Sequence, residues 1–587
     1  MKGETLYLLV LSCSLLLLFS CAKEGIEVID GPVDVLFPDS QAIINSSLHG
    51  RIVDESNMPI VGAEVFCHTC LMASSTTTDS SGNFLFTQIE NKGSSAYLSV
   101  EYPNKYKAFR RFGISENVYN YTVIQLNNKE FTGSLNTDSE GTIEHNSGMS
   151  ITLPVGGIID ENGQSYSGDY RVLIEKINPT ATNYNQNIIG DISGVDNSGS
   201  VKVLNSIEML VIKLQDQTGK PLNLQEGHTA TIKFPVPQNS ALAAMPLWNY
   251  DEKLGFWIEK GRMELADGFY EGTINQVGSW TLSDKAEGVA LGGQFLLLIG
   301  ADRVAPPYYK IDLFNSKIGK ISSWLSADGS YLIPNFPQGE IFDLSVTDHC
   351  GQEIFVGDFG PYESDQRVGQ TIINQTNQIS GRVIPIMGNA VNCDLEPVRS
   401  GLANISMGGV DYILELQLDG SFLFPASSCT NSIDYMTLYD VDKQTKSLPS
   451  VISELDRKFE FEDVLICDSL YQQYTYMRIP GLYSSLTTSG FSKDEQSEFT
   501  EGIESEDYRL LWNKDYVPNG ITTGLGKEGI LFKSHVFPDG EWISTENVDF
   551  LIEQFQDGAA EAKGYYNGTI EYQGERYNIN GSFLVRH

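Results

Sequence analysis

The chain is short of several things, and each shortage excludes something. Eight cysteines in 587 residues are too few for a disulfide-stapled scaffold. Lys and Arg number 39 against 76 Asp and Glu, a formal charge of −37. No basic footprint is left for a phosphate backbone, nor for a polybasic grip on anionic lipid, so nucleic acid is excluded as a partner. The acidity reads as solubility. A divalent-cation reading would need an Asp-rich DxDxDG-type loop, and none occurs. Sustained 3.6-residue periodicity is nearly absent, which excludes a helical body. No GxSxG elbow, HExxH helix or Walker loop is present. After the N-terminus no apolar run reaches the ~20 residues of a membrane helix. The nearest, Val289 to Ala301, is short and contains Gln294, as suits a buried strand with its flanks.

What is present begins at the N-terminus. Lys2 supplies a positive start, and Leu6 to Phe19 is apolar except for Tyr7, Ser12, Cys13 and Ser14. At about 14 residues this suits the apolar region of a signal peptide and falls short of a span. It closes on Leu18-Phe19-Ser20-Cys21, where Ser20 provides the small residue a peptidase needs and Cys21 a thiol able to carry diacylglycerol. This resembles the bacterial lipoprotein signal. The resemblance implies cleavage after residue 20, acylation of Cys21 and, at ~0.8 kcal/mol per buried CH2, firm attachment to a membrane.

Short alternating runs such as Tyr97-Leu98-Ser99-Val100 and Ile413-Leu414-Glu415-Leu416 recur between turn signals. They predict an all-β chain of tandem antiparallel sandwiches, elongated and multidomain. An internal repeat sharpens this. Gly50-Arg51-Ile52-Val53, then Pro59-Ile60-Val61-Gly62-Ala63, then Asp79-Ser80-Ser81-Gly82-Asn83-Phe84 form one copy. Gly381-Arg382-Val383, Pro397-Val398 and Asp419-Gly420-Ser421-Phe422 form a second, and Asp328-Gly329-Ser330-Tyr331 marks a weaker third. In each, Asp and Gly make a positive-φ turn and the aromatic opens a buried strand.

The repeat resembles the carboxypeptidase regulatory-like domain, a transthyretin-like seven-strand sandwich. A further stretch holds Ser150-Ile151-Thr152-Leu153-Pro154, a Trp248 to Trp257 hairpin and Val277-Gly278-Ser279-Trp280. It resembles the sandwich of ankyrins and netrin receptors and the related module of cartilage intermediate layer proteins. Some relatives cut themselves at a His-Phe-Ser step; here Val277 and Gly278 precede Ser279 without a His, which implies an uncut scaffold. The expected organisation is a signal peptide (1–20), a tether (21–44), a regulatory-like sandwich (45–127), an ankyrin-type sandwich (128–285), a weak regulatory-like repeat (286–375), a regulatory-like sandwich (376–468) and a C-terminal β domain (469–587). The whole order resembles surface lipoproteins of Bacteroides-like bacteria. Regulatory-like modules accompany peptidases, receptors and adhesins alike, so they carry a fold and little function.

Residues that bear chemistry have structural readings. With Cys13 and Cys21 set aside, Cys67, Cys70, Cys350, Cys393, Cys429 and Cys467 are the candidate disulfide cysteines, of open connectivity. Cys67-His68-Thr69-Cys70 is also half of a zinc pattern without a second half. Gly524-Leu525-Gly526-Lys527-Glu528-Gly529 fits GxGxxG, but a Pro-Asn-Gly turn precedes it and strand-like Ile530-Leu531-Phe532 follows, so it reads as a hairpin. His349 abuts Cys350, yet neighbours on a strand face opposite sides. Trp248 and Trp257 are the best carbohydrate-stacking candidates, with sandwich core as the favoured alternative. Lys493 to Asp507 reads as an exposed loop or short helix.

These residues predict no catalytic group, metal or cofactor. They predict a non-enzymatic structural, adhesion or glycan-binding component, lipid-anchored at the outer membrane. Its partners are the membrane through Cys21 and a glycan or another envelope protein. The competing reading is an enzyme-associated lipoprotein, a cryptic glycosidase or a peptidase accessory.

Overall fold

The structure, a computed structural model, describes residues 28–29 and 42–466 apart from 72–74, 80, 180, 182, 237–241, 300, 375–382, 393, 408–409, 428–433, 444, 448–449 and 453–458. Beyond 466 it describes the backbone of strands between 474 and 586. The chain is all-β, and the one helix among the described residues is the single turn Tyr184–Asn187.

Three segments repeat one strand order. In the first, Ile43–Val53 pairs antiparallel with Asn83–Lys92 and parallel with Tyr119–Gln125. Against this sheet lies a second, ordered Ser75–Thr77, Glu64–Cys67, Ser95–Glu101, Ala108–Gly113. Gly288–Ile299 repeats the arrangement with Ser330–Pro337 antiparallel and Gln366–Asn374 parallel. Val383–Asn392 repeats it with Ser421–Ser427 and Phe459–Ile466. Each has the matching second sheet, built on Lys310–Asn315 and on Gly401–Met407. Numbering strands within a unit, the orders are 4-1-7 and 3-2-5-6 in the first repeat and, leaving out Asp302–Val304, in the second; the third repeat keeps this plan except that two short strands, Thr445–Lys446 and Ser450–Ile452, both pair with Asp434–Asp440 in the place of strand 6.

The repeated turn explains part of this regularity. Gly82, Gly329 and Gly420 have φ of +75°, +77° and +80°, a conformation glycine adopts without a Cβ penalty. Asp79, Asp328 and Asp419 each accept a backbone N–H two residues on, from Ser81, Ser330 and Ser421 at 2.9, 2.9 and 3.0 Å. Phe84, Tyr331 and Phe422 then enter the cores at 2, 2 and 4 % exposure. These three carboxylates are committed to their own turns.

The intervening unit is a larger network, with its core around Tyr170, Ile212, Ile232, Tyr270 and Trp280; in chain order it is the second of four units, and the repeats that begin at Gly288 and Val383 are the third and fourth. Val289 lies in the strand Gly288–Ile299, as its apolar run suggests. At the far end Glu561–Tyr572 and Glu575–Arg586 form the long closing hairpin. Within the acidic stretch, Glu501–Glu504 is a strand paired with Gly490–Lys493 and Tyr508–Trp512, so the loop-or-helix expectation there is corrected. Strand pairing on both sides outweighs the local polarity of Glu501 and Glu504.

Candidate functional site

Where the sandwiches meet, the chain concentrates its buried polar and aromatic chemistry. Tyr119-Asn120-Tyr121-Thr122-Val123 alternates, but not in the usual sense. The core of the first sandwich contains Ile124 and Leu126, whereas Tyr119, Tyr121 and Val123 join Tyr308 and Tyr412 in a cluster with the fourth unit. The apolar face of this strand therefore looks outward, at neighbours. Asn120 is 2 % exposed; its Oδ1 accepts from Ser115 N at 2.8 Å and from Ser326 Oγ of the third unit at 2.8 Å.

Tyr121 is the hub. Its ring lies 5.2 Å from Tyr308, 5.3 Å from Trp324, 6.2 Å from Tyr412 and 5.2 Å from His49. Aromatic pairs at such distances contribute ~0.5–1.5 kcal/mol each beyond area burial. Tyr308 is held at φ +61°, a strained setting for a bulky residue, and its hydroxyl donates to Ile413 O of the fourth unit. His49 is fully buried and His349 half-buried against its neighbours, and burial depresses both imidazoles to a pKa of about 3. His349 shares a hydrogen bond with Pro307 O at 2.8 Å; neither ring nitrogen of His49 has a partner among the described residues.

A second seam joins the first and second units. Tyr97 Oη donates to Glu252 O at 2.7 Å, and Arg111 donates to Leu254 O and Gly255 O at 2.8 and 3.0 Å. The Arg111 guanidinium also lies 4.0 Å over Phe256. Nearby, Asn127 Nδ2 donates to Glu175, whose pKa burial pushes up to about 7, with Glu55 and Glu130 adding repulsion.

The cysteines sort as follows. Cys67 and Cys70 form a disulfide, and His68 Nε2 bonds with Ser99 Oγ at 2.8 Å. Cys350 is also disulfide-bonded, so it offers no thiol to His349. Cys21, Cys393, Cys429, Cys467 and the glycines of 524–529 lie outside the described residues. Among the described residues no three His, Cys, Asp or Glu gather as a metal site.

Trp248 and Trp257 are 0 % exposed, which removes both as carbohydrate platforms. Their indole N–H groups donate to Ser283 O and Asp191 O at 3.0 and 3.1 Å. Ser279 is 5 % exposed, and its carbonyl accepts from Asn249 Nδ2 at 3.0 Å. The junction residues Tyr121, Tyr308, Tyr412 and Arg110 were not singled out from sequence. The available signal was a strand whose apolar face carries three bulky residues beside a face of Asn and Thr.

No family model and no curated protein matches the chain. Solved structures similar to parts of it include the shaft pilin SpaA from Lactobacillus rhamnosus GG, at 8 % identity over 31 % of this chain and 99 % of that one, with a TM-score of 0.16. BcpA, the major pilin subunit of Bacillus cereus, is similar at 10 % identity, with 57 % and 100 % covered and a TM-score of 0.12. A membrane-associated protein of unknown function from Bacteroides fragilis is similar at 9 % identity, with 42 % and 99 % covered and a TM-score of 0.13. Likeness at this level says nothing of what this chain binds.

Proposed function

We propose that this chain is a lipid-anchored structural or adhesive component of the bacterial cell envelope, held at the outer membrane through Cys21. The observation that carries the structural half is the hub at Tyr121, which ties the first, third and fourth units into one buried aromatic cluster. Units locked in this way form a stiff mount with no hinge at their seam. Its partners are a glycan or another envelope protein, bound on loops that the fixed sandwiches present. The scaffold reading is favoured over the glycosidase one because the carboxylates gathered near the second seam are engaged locally. Glu175 accepts from Asn127, and Glu55 pairs with Lys105 at 2.8 Å.

The anchor fits this arrangement. Val28–Ile29 adds to the edge of Gln366–Asn374, with Val28 opposite Thr371 and Ile29 opposite Gln370. Seven residue steps separate Cys21 from Val28, a reach of at most about 25 Å. An acylated Cys21 therefore keeps the third unit against the membrane.

The deciding experiment is fractionation of cells making the wild type and Cys21→Ala. The variant is expected in the soluble envelope fraction, and persistence with the membranes overturns the lipoprotein reading. Protease treatment of intact cells then separates surface from periplasmic display.

A further inference from the structure

Between the first, second and third units lies a cavity of about 80 Å³. Its floor is Arg110, on the strand Ala108–Gly113. Alternation along that strand sends Phe109 and Arg111 toward Tyr250 and Phe256 of the second unit, at 5.4 and 4.0 Å. Arg110 is left on the opposite face, 7 % exposed. The strand is fixed there because Phe109 O accepts from Gly190 N at 2.9 Å and Arg111 N donates to Gly190 O at 3.1 Å.

Two guanidinium nitrogens of Arg110, Nε and Nη2, have no hydrogen-bond partner among the described residues. They are the pair whose N–H bonds run side by side, forming the fork that takes both oxygens of a carboxylate. Asn185 lines the same cavity, and its Nδ2 is also buried without a partner. Leaving such donors unpaired costs about 1–3 kcal/mol apiece, more for a charged group.

The other charges facing the space are accounted for. Lys320 is paired with Asp312 at 3.1 Å, and Arg111 is bonded to Leu254 O and Gly255 O. Asp191 accepts from Ser193 N and Ser193 Oγ, both at 2.9 Å. Burial raises the Asp191 pKa and lowers that of Arg110 only to about 10, which leaves the guanidinium charged at neutral pH.

We infer that this cavity binds a carboxylate, gripped side-on by Arg110 Nε and Nη2 and assisted by Asn185 Nδ2. The volume admits a carboxyl group with a few further atoms. A larger acid would leave its remainder at the half-buried rim formed by Ser322, Ser323 and Trp324. The inference is independent of lipid anchoring.

The test is calorimetric titration of the full mature chain with sodium acetate and, separately, with D-glucuronate, at an ionic strength held constant with chloride. Saturable binding of one equivalent is expected, weakened about tenfold or more in Arg110→Lys, which keeps the charge but loses the fork. Ser323→Phe leaves Arg110 in place and narrows the mouth; it is expected to abolish binding while the far-ultraviolet dichroism stays unchanged. Acetate binding marks a free small acid, whereas binding of glucuronate alone marks the acid group of a sugar, and either supports the inference. No saturable heat with either acid overturns it. So does equal affinity in Ser323→Phe, or competition by chloride at equal concentration, since both mean an adventitious ion only.

Discussion

His349 lies face to face with Phe424, ring centroids 5.3 Å apart and planes 11° from parallel, although the two residues belong to different sandwiches. The same imidazole sits 4.4 Å from Tyr412. A charged ring is poorly tolerated in this packing, and burial holds its pKa at about 3 against an ordinary 6.5.

The folded pKa is depressed below the unfolded one, so the unfolded chain binds the extra proton between them. The contribution of His349 is complete above about pH 6.5 and is lost as pH falls toward 3. Thermal unfolding of the third and fourth units should drop across that window. In His349→Phe the drop should be shallower, with about 1 kcal/mol lost at neutral pH from the missing bond to Pro307 O. Identical slopes for variant and wild type would remove His349 as the origin.

His49 leads to the opposite expectation. It is the more deeply buried of the two, but neither nitrogen is hydrogen-bonded among the described residues, and replacing an unpaired buried polar group by an apolar one of similar volume is nearly neutral or favourable. His49→Leu should unfold within about 1 kcal/mol of the wild type at pH 7, or above it, and should be the more acid-resistant protein. A loss of several kcal/mol on chemical denaturation would show that the imidazole is needed.

The contrast between these histidines and the repeated turns shows what the sequence makes legible. Asp-x-x-Gly and Asp-Gly turns announce themselves because their cause is local: a positive φ at Gly82, Gly329 and Gly420, followed by an aromatic. The all-β class follows from alternation in the same way. The junction has no local cause. Tyr121, Tyr308 and Tyr412 meet across nearly three hundred residues of chain, and alternation shows that Tyr119, Tyr121 and Val123 share a face without showing which face another unit covers. Arg110 is hidden for the same reason. A charged residue in a strand reads as solvent-facing until a neighbouring sandwich closes over it.

Gly113 tests whether the units are rigidly seated. Its backbone does not need a left-handed conformation, but a Cβ there would stand 2.1 Å from Leu332 O of the third unit. Gly113→Ala must push the units apart, at a cost of about 1–3 kcal/mol, and should split a shared unfolding transition into separate ones on calorimetry. Gly261→Ala is the control, with nothing within 4 Å of its Cβ position, and should leave the profile unchanged. An unaltered Gly113→Ala profile would mean that the units move freely against each other.

Glu175 supplies a pH dependence of reversed sign. Its pKa is pushed up to about 7 by burial, with the Glu55 and Glu130 charges adding to the effect and the Asn127 bond opposing it. Here the folded chain binds the extra proton between about pH 4.5 and 7. Its contribution therefore favours folding at low pH and fades as pH rises through 7. Glu175→Gln retains an oxygen for Asn127 Nδ2 and removes the charge. The variant should match the wild type near pH 4.5 and exceed it by about 1–2 kcal/mol at pH 8, after allowance for the partial exposure of the side chain. Denaturant unfolding at the two pH values measures the difference. A gain of equal size at both would trace the effect to packing and not to the carboxylate.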